Sequence, residues 1–116
     1  MSSPIEKERS AIPEPSGVTF GNVRIEALPW GKARGLAQNG GYIAAYDTRT
    51  EDELWVLKVY DITYDPRKED DKQDLFIEDL ATDSAGHLRV TDERGGVYMV
   101  DVQSRSVISP AGAASE

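Results

Sequence analysis

The segment Leu54–Ile62 alternates like a β-strand yet is apolar on both of its sides. Trp55, Leu57 and Val59 would face one way, and Leu54, Val56, Tyr60 and Ile62 the other. A strand apolar on both faces is a strand covered on both faces. The same two-sidedness recurs in Leu75–Leu80 and Val97–Val102. A chain of 116 residues has a single core to offer. The second cover is therefore a second subunit, the preferred expectation, or the chain's own Asp65–Asp74 loop and flanking strands.

The rest of the chain also reads as strands. Residues Met1–Gly17, with Pro4, Pro13 and Pro15 among charged and small residues, read as a disordered or extended arm. The β domain is expected over residues 18–109, with a frayed tail over 110–116. Val18–Phe20 and Val23–Leu28 flank the turn signal Gly21-Asn22. Pro29–Gln38 is a polar loop. Tyr42–Asp47 and Leu54–Tyr60 should pair as a hairpin across Thr48–Glu53. Asp65-Pro66 and the polar run after it allow one helical turn before a Leu75–Ala81 strand. Strands Leu88–Thr91 and Val97–Val102 follow, with a short last one at Val107-Ile108.

Gly40–Trp55 (GGYIAAYDTRTEDELW) resembles the quinoprotein-type β-propeller repeat. Ala45, Asp47, Thr50 and Trp55 stand at its A-x-D-x-x-T-G-x-x-x-W positions. The resemblance implies a blade-like hairpin in which a small residue makes room for an indole. It carries no cofactor, since none of that family's cofactor-binding residues lies in the hairpin. Glu51 replaces the repeat's glycine, so Glu51 or Asp52 must take a left-handed backbone. A second, weaker copy aligns Asp47 with Asp101 and Thr50 with Ser104, and puts Ser109 in place of the Trp. Two blade-like units fit this length, and a propeller of four or more blades does not. A wider stretch, 38–90, looks like small uncharacterised bacterial proteins of the mobile gene cassette kind, which bring no activity.

A formal charge of −8 argues against nucleic acid and anionic membranes as partners. No apolar run approaches the roughly 20 residues of a spanning helix. With no secretory leader pattern either, a soluble cytoplasmic protein is expected. The absence of cysteine removes thiol chemistry. His87 is the one histidine and sits in a turn with Asp83 and Ser84, where neighbours cannot converge as a triad. The acids from Asp61 to Asp83 could hold a cation, but they lack a calcium-loop spacing and read as a solvated face. In Pro29–Gly35 an aromatic, Trp30, accompanies two cations, Lys32 and Arg34. Trp and Arg are common binding anchors.

These features lead to an all-β domain of about seven antiparallel strands, in two blade-like sheets forming a sandwich or partial barrel. The expected role is non-enzymatic, as a small assembly domain forming a homo-oligomer, with no cofactor and no metal. The alternative is a module for a small anionic ligand, held by Trp30, Lys32, Arg34, Tyr42 and Tyr46. A carboxylate hydrolase is the remotest reading.

Overall fold

Hydrophobic alternation and closely spaced turns produce eight antiparallel strands in the computed structural model, which describes residues 12–64, 66–67, 73–83 and 86–110. Sheet one is the meander β1 (Val18–Phe20), β2 (Val23–Leu28), β3 (Tyr42–Asp47) and β4 (Glu53–Lys58). Sheet two is the meander β5 (Ile77–Thr82), β6 (Leu88–Asp92), β7 (Val97–Asp101) and β8 (Ser106–Pro110). Every strand pairs only with its neighbours in sequence, so each sheet has the spatial order of its chain. The count exceeds the expected seven because β8 completes the second meander. β8 also ends one residue beyond the expected limit at 109. The sheets stay separate, so the architecture is a two-layer sandwich and the partial barrel is set aside.

The core lies between the sheets. Ile25, Ile43 and Ala45 come from sheet one, and Leu80, Leu88, Val90 and Val100 from sheet two. Each large side chain fully buried there contributes about 1.5–3 kcal/mol relative to exposure. The hairpin β3–β4 sets Ala45 directly across from Trp55, so the small side chain does leave room for the indole. Trp55 is half-buried against the core, because β4 is the edge of its sheet.

The turns are led by aspartates. Asp47 Oδ1 accepts the Arg49 amide at 2.8 Å, and Asp101 Oδ1 the Gln103 amide at 3.0 Å. Asp83 Oδ1 accepts the His87 amide, and Asp92 Oδ1 accepts those of Arg94 and Gly96. A carboxylate that closes its own turn satisfies amides that strands leave unpaired. Much of the acidity of this chain is thus turn-building. The two copies of the internal repeat match in backbone as well. Four residues after Asp47 and Asp101 stand Glu51 (φ 66°) and Arg105 (φ 59°), the two non-glycine positive φ values among the described residues.

The connection from β4 to β5 is bound to the loop before β3. Gln38, buried, donates to the carbonyls of Gly40 and Tyr60 and accepts the Ile62 amide. Asp74, also buried, accepts from Asn39 Nδ2 at 3.0 Å and from the Tyr64 hydroxyl. Gly40 passes so close to this connection that a Cβ would lie 2.2 Å from the Leu75 carbonyl oxygen. The helical turn expected after Asp65 falls largely outside the described residues, as do residues 1–11 of the arm and the tail 111–116. Residues 12–17 carry no helix or strand.

Candidate functional site

The Pro29–Gly35 loop is where the sequence gathers binding-type residues, and its fold decides what they can do. Gly31–Arg34 form a single 3-10 turn closed by Gly35 in the left-handed region. Gly31 lies on the Tyr42 ring, where a Cβ would stand 2.6 Å from Cε2, so only glycine allows this approach. Lys32 Nζ sits over the Tyr64 ring, 4.3 Å from its centroid. Arg34 Nη2 meets Glu53 Oε2 at 2.7 Å. That guanidinium holds the Glu53 carboxyl below its ordinary range, and Glu53 in turn raises Arg34.

Each of the five residues expected to hold an anion has a partner of its own within the fold. Tyr42 is buried beneath Gly31. Tyr46 lies under the Arg24 guanidinium, 5.1 Å from its ring centroid, and its hydroxyl pKa is raised, mainly by burial. Lys32 covers Tyr64 of the connection after β4, and Arg34 covers Glu53 of β4. Ala44, between Tyr42 and Tyr46, is consequently buried on the face of sheet one away from the core. The second cover of sheet one thus comes in part from the 29–36 loop. Arg24 ties the same face together, meeting Glu26 at 2.6 Å and Glu51 at 2.8 Å.

Trp30 borders a cavity. A space of about 340 Å³ opens beside its ring, walled by Phe76, by Pro29 and by the arm residues Ile12, Pro13 and Glu14. Trp30 stands edge-on to the buried Phe76 with ring centroids 5.4 Å apart, yet is 48% exposed. Neither Lys32 nor Arg34 borders this space, whereas the carboxylates of Glu14 and Glu26 do. A second cavity of about 440 Å³ lies between the sheets, bordered by Trp55, His87, Gln103 and Arg105. There Arg105 reaches across from sheet two to lie 5.8 Å from the Trp55 ring centroid.

The His87 ring lies 3.7 Å from Asp83, within the turn that Asp83 caps. Among the described residues no three histidine or acidic side chains are grouped as a metal would require. Also among them, no helix is long and apolar enough to cross a membrane.

Sequence reasoning missed Gln38, Asn39, Asp74 and Asp92, which hold loops through buried hydrogen bonds. Polar residues in polar loops give no periodic signal. Asp92 is the clearest case, buried and accepting the Tyr98 hydroxyl at 2.8 Å in addition to two amides. Burial, then that bond to the Asp92 carboxylate, pushes Tyr98 up to about 12. Tyr60 stacks on Tyr98 at 4.9 Å and is raised too, chiefly by burial.

No family model, curated protein or solved structure matches the chain. The likeness of Gly40–Trp55 to a propeller repeat therefore rests on the residues of that hairpin alone.

Proposed function

We propose that the chain is a non-enzymatic assembly domain that pairs with a second copy through the face of sheet two turned away from the core. What supports this is an uncovered surface. Asp79, Ala81, Arg89, Thr91, Val97 and Met99 alternate with the core residues of β5, β6 and β7, so they share that outer face. Beside them Ile108 of the edge strand β8 is 50% exposed. No side-chain hydrogen bond or ion pair reaches this group among the described residues, including Arg89 and Asp79. Apolar side chains flanked by one cation and one anion are self-complementary about a two-fold axis. Arg89 of each copy can then meet Asp79 of the other.

Sedimentation equilibrium at micromolar concentration tests the proposal, with twice the 12.8 kDa chain mass as the expected result. Arg89→Asp should return the mass to that of one chain. Adding Asp79→Arg should restore the pair, since both charges are then exchanged. A mass of one chain at every concentration would overturn the proposal, and so would a dimer indifferent to Arg89→Asp.

A further inference from the structure

We infer that the Trp30 cavity binds a small organic cation with an apolar body. Three observations converge there. The cavity, about 340 Å³, lies within the roughly 300–1,000 Å³ range of small-molecule sites. Its apolar lining includes an aromatic pair, the half-exposed Trp30 held edge-on by buried Phe76. A rigidly seated indole with one side in solvent is the strongest of the side-chain partners for a cationic head.

The charge that the described residues place on the walls has one sign. Glu14 contributes a carboxylate that meets no cation among the described residues. Glu26 contributes a second, which Arg24 Nε contacts through Oε2 at 2.6 Å. Among the described residues no lysine, arginine or histidine lines the space. The chain as a whole carries −8, so its field concentrates cations and repels anions at such a mouth. A ligand with an ammonium head would meet Glu14 and the indole while its body lies on Phe76, Leu28 and the prolines. The Arg105 cavity differs, since a cation and the carboxylate of Asp101 both line its wall.

The two tryptophans make the test direct, because each indole N–H gives its own resonance and each borders one cavity. Benzyltrimethylammonium is titrated into the full chain, with benzoate and benzyl alcohol as anionic and neutral controls. The Trp30 resonance, assigned with Trp30→Leu, should move to saturation with the cation while that of Trp55 stays. Both controls should bind at least about tenfold more weakly, on the usual scale of a desolvated cation–π contact. Glu14→Gln, an exposed change that leaves the fold intact, should weaken the cation about fivefold, the scale of an exposed charge pair. A Trp30 resonance that fails to saturate would overturn the inference, as would benzoate binding as tightly as the cation. So would affinity unchanged by Glu14→Gln.

Discussion

The two sheets have the same meander, and each has aspartate-led turns, one in sheet one and three in sheet two, but they finish their outer faces differently. Sheet one is followed closely by its own cover. The 29–36 loop lies on Tyr42, and Arg24 and Arg34 bind Glu26, Glu51 and Glu53 across its surface. Sheet two carries no such lattice, and Arg89, Val97 and Met99 stand on a face that nothing in the described chain crosses. Two-sided apolarity in a short strand therefore has two outcomes in one molecule. Where a long polar loop interrupts the meander, as between β2 and β3, the chain covers itself. Where only tight turns join the strands, the loops between them are too short to do so.

The largest expected effect asks whether each sheet depends on one buried polar residue. Gln38→Ala strips two donors and an acceptor from the connection beside sheet one, and Asp92→Ala leaves two amides and the Tyr98 hydroxyl without their acceptor. Orphaned buried groups cost about 1–3 kcal/mol. Each variant should lose about 3 kcal/mol in urea unfolding. A loss under about 1 kcal/mol in one alone would show that the sheets are not anchored alike.

Alkaline titration separates the same two regions more gently. Folding postpones ionisation of Tyr98 to about 12 from the usual 10, with Tyr60 displaced in the same direction. Between these values the folded chain holds more protons than the unfolded one, so stability is intact below pH 10 and falls as pH rises toward 12. Thermal melts with tyrosinate absorbance check this. Tyr98→Phe should flatten the decline, and an unchanged slope would place its origin elsewhere.

The smallest effect compares the two left-handed turn residues. Glycine removes the cost of positive φ, about 1 kcal/mol. Arg105→Gly should therefore stabilise the chain by somewhat under 1 kcal/mol, since it sacrifices only a contact with Trp55. Glu51→Gly should gain nothing, because Arg24 loses its paired carboxylate contact. Equal gains in the two variants would show that the ion pair on sheet one contributes little.

Periodicity made the strands legible, and the Asp47–Trp55 spacing located the hairpin with Ala45 facing Trp55. A left-handed residue at Glu51 or Asp52 was legible too, because the repeat places a glycine there, and the fold puts it at Glu51. The Trp30 loop was legible only as a composition. Whether Lys32 and Arg34 face a ligand or their own sheet depends on Tyr64 and Glu53, which stand 32 and 19 residues further along the chain. Long-range polar pairings of that kind leave no periodic trace. For the same reason the buried roles of Gln38 and Asp74 emerge only once the connection is folded.

The neighbour-only pairing of the strands also bears on how fast this domain forms. All-β domains usually fold slowly, since their strands must find partners far away in sequence. Here each strand meets its partner across a short turn, except where residues 29–41 intervene, and four of those turns are closed by a local carboxylate. The one long-range search is the docking of the two meanders. Each should acquire its pairing early and independently, and the rate-limiting barrier should consist of sheet docking. Core substitutions at the interface, such as Val100→Ala, should then slow folding, while changes in the aspartate-led turns should be felt before that barrier is reached.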